Sequence, residues 1–327
     1  MKTLALVSSV LIGITLATGA HSLDLDPHLP AYQPVATDSA QIKSVGSDTL
    51  GDLMRRWADE FAKLNPNVKI EVDSRGSATA PPALLDGASQ IGPMSRPMRS
   101  EEYEPFEKKY GYHPTSFPVA VDALSIYVNK DNPIQCLTIE QLDQIFSKTH
   151  LYSGGKNVTT WGEAGLTGDW AMQPISLFGR NSASGTHDTF VDAVLRHGEF
   201  KDELKEQHGS AEVVKMVAAD KNAIGYSGIG YLTEGVRTVP LATTPGDQCY
   251  DTSPTSTYSG NYPLARYLSI ALNKAPAKPL DPPLLEFVKY VLSRDGQMET
   301  IKSGFYPITS ATRTTALSKL GISNDSN

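Results

Sequence analysis

Between residues 42 and 198 the hydrophobic and polar positions fall into a unit that recurs. A short β-type run, Ile42 to Val45, meets Gly46-Ser47-Asp48-Thr49, after which Leu50, Leu53, Met54, Trp57, Phe61 and Leu64 follow at helical spacing. The pattern predicts strand, tight turn, helix. Asn65-Pro66 closes that helix, "VKIEVDS" alternates as a strand, and Arg75-Gly76-Ser77 leads into "PPALLDG", a helix with prolines in its first turn. "SQIGPMSRPM" (89–98) makes a third junction, with Ser95-Arg96-Pro97 ahead of the helical "SEEYEPFEKKYG". The β-branched run "FPVAVDALSIYVNK" reads as a long strand, and "LTIEQLDQIF" as a helix whose Thr138 and Gln141 fit a capping box. Glycines and prolines mark 152–174 as a loop. "PISLFGR" then feeds "NSASGT" and the helix "HDTFVDAVLRHG". Strands alternating with helices predict an α/β protein with mainly parallel sheets and helices on both faces, and ligands in such sheets sit at the carboxyl ends of strands. All four polar turns fall at that edge.

The N-terminus adds a compartment. "MKTLALVSSVLIGITLATGAHS" has one lysine, an apolar run too short for a comfortable membrane span, and small residues for cleavage, so residues 1–22 read as a secretory signal peptide. No cysteine lies near the cleavage site, so lipid attachment there is excluded, and the expected location is periplasmic. Residues 23–40, rich in Pro, Asp and Ala without periodicity, read as a flexible leader. Removing residues 1–22 takes away only Lys2 among charged residues, leaving 28 basic and 36 acidic residues, a net charge of −8 on 305 residues. Such a surface attracts neither nucleic acid nor anionic membranes, and an anion site on it must win through local donors. The length suits two lobes. Cys136 and Cys249 are far apart and lack CxxC spacing, so in an oxidising compartment they are candidates for one structural disulfide.

The stretch "GRNSASGTHDTF" (179–190) carries the densest polar cluster. A serine-hydrolase elbow requires G-x-S-x-G, and around Ser184 both glycine positions fail. His187, three residues on at a helix start, is poorly placed as its base. Ser153-Gly154-Gly155-Lys156 matches S-x-x-K inside a glycine loop and has no K-T-G partner. The seven histidines are scattered without H-E-x-x-H, and "GYSGIG" has the wrong glycine order for a dinucleotide site, so neither a metal nor a cofactor is expected. An oxyanion cradle uses more of these residues. A helix N-terminus presents free N–H groups and the positive end of its dipole at Ser184, Gly185 and Thr186, and Arg180 supplies a planar fork. Thr49, Ser77 and Ser95 would complete the shell from the other turns. Taken singly, a Ser or Thr before a helix is usually only an N-cap.

The motifs "GSDTL", "RGSATA", "IGPMSRPM" and "RNSASGTHDTF", with "LSIYVNKDNPI", "AIGYSG" and "YPLARYLSIALNK", resemble the phosphate-binding proteins of high-affinity phosphate ABC importers, the PstS-like family. The resemblance covers nearly all of the chain after the leader. It implies a two-lobed type II periplasmic-binding-protein fold, with residues 41–120 plus 260–327 in one lobe and 121–259 in the other, and crossings near Val119–Asp122 and Tyr262. By motif, Thr49, Ser77, Arg180, Ser184, Gly185 and Thr186 fall on family phosphate contacts, with Leu50 offering the next backbone N–H. The implied role is capture of inorganic phosphate by a monomer, without catalysis, and delivery to a membrane permease. The alternatives left open are another tetrahedral oxyanion and a secreted phosphatase. Two positions depart from the family: Ser95 stands where members have the aspartate that accepts the ligand's proton, and Ser182 where an aspartate orients the arginine. Asp48 is the candidate substitute acceptor; its ordinary alternatives are a helix cap or a partner for Arg55 or Arg56.

Overall fold

The computed structural model describes residues 25–323, so the signal-peptide reading falls outside the described residues. The chain runs β1 (Ala40–Val45), α1 (Gly51–Leu64), β2 (Val68–Asp73), a 3-10 turn at Ser77–Thr79, α2 (Ala80–Leu85), β3 (Gly92–Met94) and α3 (Ser100–Tyr110) into a long strand, β4 (Thr115–Asn129). It continues through β5 (Leu137–Thr138), α4 (Ile139–Phe146), β6 (Ser176–Arg180), α5 (Gly185–Ala193), β7 (Lys205–Gln207), α6 (Ser210–Ala219), β8 (Ala223–Gly228), β9 (Val236–Thr238), β10 (Leu241–Ala242) and α7 (Pro254–Tyr258). It returns by β11 (Ala265–Leu272) to three helices, α8 (Pro282–Val291), α9 (Arg294–Lys302) and α10 (Ser310–Leu320).

Helix α1 shows how the apolar spacing acts. Leu53, Met54, Trp57 and Phe61 form one fully buried face, with Phe61 edge-on to Phe287 at 5.4 Å and the Trp57 indole donating to the Gly296 carbonyl at 2.7 Å. The α4 capping box forms, Gln141 N donating to Thr138 Oγ1 at 3.0 Å and Thr138 N to Gln141 Oε1 at 2.9 Å.

Strand β4 organises the rest. It is buried from Val119 to Asn129, which is why its sequence is a continuous apolar run rather than an alternating one. Thr115–Ala123 pairs antiparallel with β11, Leu124–Val128 antiparallel with β8, and its last residues with β9. The sheet order is β3-β11-β4-β8-β6-β7. Pairs β6/β8, β6/β7, β1/β2 and β5/β10 are parallel. The single strand β4 therefore joins β11 to β8 within one sheet, and the turns after β1, β2 and β3 meet the turn after β6.

The leader reading needs correction between Asp26 and Tyr32. Leu29 and Tyr32 are buried, Tyr32 Oη donates to Glu286 at 3.0 Å, Pro30 accepts from Arg294 N at 2.8 Å, and Asp26 accepts from Ser310 N at 2.7 Å. Two apolar anchors dock a proline-containing segment that loses little conformational entropy, without any secondary structure that periodicity could report. Cys136 and Cys249 are bonded, with Cα atoms 6.2 Å apart, joining the segments beside the paired strands β5 and β10. No helix among the described residues is long and apolar enough to cross a membrane.

Candidate functional site: four turns around a buried arginine

The four polar turns converge. Thr49 Oγ1, just before α1, lies 2.8 Å from Thr186 Oγ1 in the first turn of α5. Ser77 Oγ lies 3.2 Å from Ser95 Oγ and accepts from Ser95 N at 3.0 Å, and Ala78 N donates to Ala183 O at 3.1 Å. All four of these hydroxyl side chains are buried. The contacts demand glycine at two places. A Cβ on Gly185 would stand 2.4 Å from Ser77 Oγ and 2.7 Å from Ser95 Oγ, and Gly76, at φ +122°, would put one 2.3 Å from the Ala183 carbonyl. Close approach of the second and third turns to the start of α5 is thus written into those glycines.

Ser184 is the N-cap of α5, its Oγ accepting from Thr186 N at 3.1 Å and His187 N at 3.4 Å. The first amide of that helix, Gly185 N–H, has no intrahelical acceptor by geometry. Ser184 and His187 are not arranged as nucleophile and base: the His187 ring is bonded to Asp188, Nδ1 to Oδ1 at 3.0 Å. Leu50 is fully buried, and its amide makes only a long 3.4 Å contact to Ser47 Oγ.

Arg180, at the end of β6, is completely buried. Nη1 reaches Ser210 Oγ at 2.6 Å and Asp48 Oδ2 at 3.1 Å, Nη2 donates to the His208 carbonyl at 2.8 Å, and Nε–H has no acceptor in the protein. Burial pushes the guanidinium pKa down, and the Asp48 carboxylate opposes that shift. Asp48 therefore does what Ser182 cannot, since Ser182 is exposed: it orients Arg180, and its Oδ2 also accepts from Ser210 N at 2.8 Å. Arg55 pairs instead with Asp52, and Arg56 with Glu299, so neither takes Asp48. Tyr231 Oη sits 3.0 Å from the Asp48 carbonyl and 3.1 Å from that of Thr49, fixing the first turn to the turn after β8.

Two sets of ion pairs at this junction escaped the sequence reading. Arg266 on β11 forms an ion pair with the fully buried Asp122 of β4 at 2.7 Å and donates to Thr186 Oγ1 at 2.8 Å. Arg96, following Ser95, pairs with Glu102 and with Asp188 of α5, each at 2.7 Å, and Arg99 also reaches Asp188. Burial alone would raise the Asp188 pKa, but the His187 hydrogen bond and the charges of Arg96 and Arg99 hold it below the ordinary value. The available signal was a lone aspartate inside the apolar run "FPVAVDALSIYVN", because a buried carboxylate needs a partner.

These residues make a binding centre. Hydroxyls, a helix start and a buried guanidinium with a spare N–H converge as donors, which suits an oxyanion.

Comparison with known proteins places this geometry. Residues 31–295 match the family model described as a PBP superfamily domain. The chain is 47% identical over 321 residues to the phosphate-binding protein PstS of Pseudomonas aeruginosa, covering 98% of this chain and 99% of that one. It is 28% identical over 260 residues to the phosphate-binding protein PstS of Staphylococcus saprophyticus, covering 79% of this chain and 77% of that one. Among solved structures, an ABC-type phosphate transport receptor from Vibrio cholerae superimposes with a TM-score of 0.63 over 82% of this chain and all of that one, at 22% identity, and shares the type II periplasmic-binding-protein fold. A match across most of the chain, and near-full-length identity approaching half, show that it belongs to the PBP superfamily, in the PstS family of phosphate-binding proteins.

Proposed function

We propose that the chain is an exported solute-binding protein that captures inorganic phosphate between two lobes and delivers it to the permease of an ABC importer, as a monomer and without catalysing a reaction. The observation that carries this reading is Arg180: a completely buried guanidinium whose Nε–H has no protein acceptor, set among the turn donors. An unpaired buried donor on a cation is expensive unless a ligand accepts from it. Arg180 forks toward phosphate oxygens; Ser184, Gly185 and Thr186 seat another at the start of α5; Thr49, Leu50, Ser77 and Ser95 supply further donors. We assign residues 41–120 and 260–327 to one lobe and 121–259 to the other. The change of β4 partner from β11 to β8 after Ala123, and the Tyr262 Oη bond to the Leu124 carbonyl at 2.9 Å, support that division.

One observation favours a broader oxyanion reading. Ser95 brings no carboxylate, and Asp48 and Asp122 are each already engaged by an arginine, so an acceptor that discriminates phosphate from sulfate has to come from one of those two. We assign that role to Asp48, whose Oδ1 is left by the Arg180 and Ser210 contacts to Oδ2. Calorimetric titration of the dialysed mature protein with phosphate, sulfate and arsenate at pH 6 and pH 8 tests both statements. The expected result is saturable phosphate binding that ignores sulfate and that weakens roughly 30- to 5,000-fold in Arg180→Met, the effect of truncating one partner of a buried charged contact. Equal sulfate binding would make the site a general oxyanion cradle; no phosphate binding would end the proposal.

A further inference from the structure

Two arginines flank the candidate site, Arg180 completely buried and Arg266 largely so, and their hydrogen bonds differ in kind. Arg180 keeps a spare donor, as described. Arg266 is engaged all round: Nε donates to Asp122 Oδ2 at 2.9 Å, Nη1 to the Ser95 carbonyl at 2.9 Å and Thr189 Oγ1 at 3.2 Å, and Nη2 to Thr186 Oγ1 at 2.8 Å, while Nη2 also lies 2.7 Å from Asp122 Oδ2 in the ion pair. A guanidinium has five N–H groups; four are hydrogen-bonded to protein acceptors, and the Nη2 that bears the fifth is held against the Asp122 carboxylate. Arg266 therefore has nothing left to offer an anion directly.

What it offers is orientation. A threonine hydroxyl carries one hydrogen and two lone pairs. The Nη2–H of Arg266 fills one lone pair of Thr186 Oγ1 and directs the hydroxyl hydrogen away from Arg266; with Thr49 Oγ1, 2.8 Å away, donating to the second lone pair, that hydrogen is left for a ligand. A donation from a cation also polarises that O–H, making it a stronger donor. Asp122 holds the fork in place. Its Oδ1 accepts from Ile229 N at 2.9 Å, and it is completely buried on β4, the strand shared by both halves of the sheet. The same guanidinium reaches the third turn through Ser95 and helix α5 through Thr186 and Thr189, so it spans the junction at which the four turns meet.

We propose that Arg266, oriented by Asp122, is a positioning residue for the anion site: it sets the Thr186 hydroxyl as a donor to the ligand and ties the third turn to α5. This rests on the phosphate reading of the same site. The test is a titration of phosphate into wild type, Thr186→Val, Arg266→Gln, the double variant Thr186→Val/Arg266→Gln, and Arg266→Lys, with the melting temperature of each unliganded protein measured alongside. Loss of one charge-assisted hydrogen bond should weaken binding about 10- to 100-fold in either single variant. Because both act through one hydroxyl, the double variant should bind no more weakly than the poorer single variant. Arg266→Lys retains the charge against Asp122 but cannot reach Ser95, Thr186 and Asp122 together, so it should recover thermal stability relative to Arg266→Gln without recovering affinity. If Arg266→Gln unfolds, Arg266→Lys and Asp122→Asn/Arg266→Gln, which leaves no lone buried charge, carry the comparison. Additive losses, or wild-type affinity in Arg266→Lys, overturn the positioning role while the phosphate reading stands. Absence of phosphate binding in wild type overturns both.

Discussion

The contact between Gly185 and the serines of the second and third turns gives a sharp prediction. An alanine Cβ there would lie 2.4 Å from Ser77 Oγ and 2.7 Å from Ser95 Oγ, whereas ordinary van der Waals contact begins near about 3.5 Å. Ser77 Oγ must then retreat by about 1 Å. It has no room to do so, being fully buried, bonded to Ser95 N at 3.0 Å, and anchored by the neighbouring Ala78 N bond to Ala183. Overpacking of this kind costs about 1–3 kcal/mol. If the strain is relieved by parting the turns, the loss falls on the geometry of the site, and phosphate affinity should drop by about 5- to 150-fold. The opposing local term is small: alanine is the better helix former by about 1 kcal/mol, so unliganded stability should change little. Titration calorimetry and a thermal melt of Gly185→Ala without ligand separate the two. Affinity within about twofold of wild type, with the melting temperature lowered by many degrees, would refute the reasoning, because the strain would then have been absorbed by the scaffold and not by the site.

Other outcomes follow from the surrounding structure. The Asp188 carboxyl is held below its ordinary value by His187, Arg96 and Arg99, so its contribution is complete above the ordinary carboxylate range and is lost as pH falls from that range through the lowered folded-state pKa. The melting-temperature gap between wild type and Asp188→Asn should be widest above about pH 5 and shrink as pH falls below the ordinary carboxylate range, and a gap that ignores pH would be inconsistent with the ion cluster. The Cys136–Cys249 bond closes a loop with a sequence separation of 113, and its removal in Cys136→Ser/Cys249→Ser should lower stability by about 2–5 kcal/mol in denaturant titrations. Phosphate affinity should be unchanged in that variant, since neither cysteine joins the turn network; a large loss of affinity would place the bond in the binding mechanism.

Much of this site was written in local sequence. The four turns, the helix starts after them and the arginine ahead of Ser184 arise from short-range rules: apolar spacing, glycine and proline punctuation, and the preference of hydroxyls for helix N-termini. Those rules act over a few residues and therefore leave their mark in a few residues. They also implied the α/β class and an anion ligand, and the resemblance of whole motifs narrowed that class to the phosphate binders.

The pairings that convert four turns into one site were decided only by the tertiary structure. Asp48 and Arg180 are 132 residues apart and Asp122 and Arg266 are 144 apart, and no local pattern encodes such contacts. The role expected of an aspartate after the arginine passed to Asp48 because the β1 turn lies beside β6 in space, while Ser182 faces solvent. The docking of Leu29 and Tyr32 was hidden for a similar reason: a segment without periodicity shows its anchors only when the surface that receives them has formed. Sequence fixes what each short stretch can do with its own backbone and side chains. The choice of partner for a buried charge depends instead on which strands become neighbours, and that is settled by burial across the whole sheet.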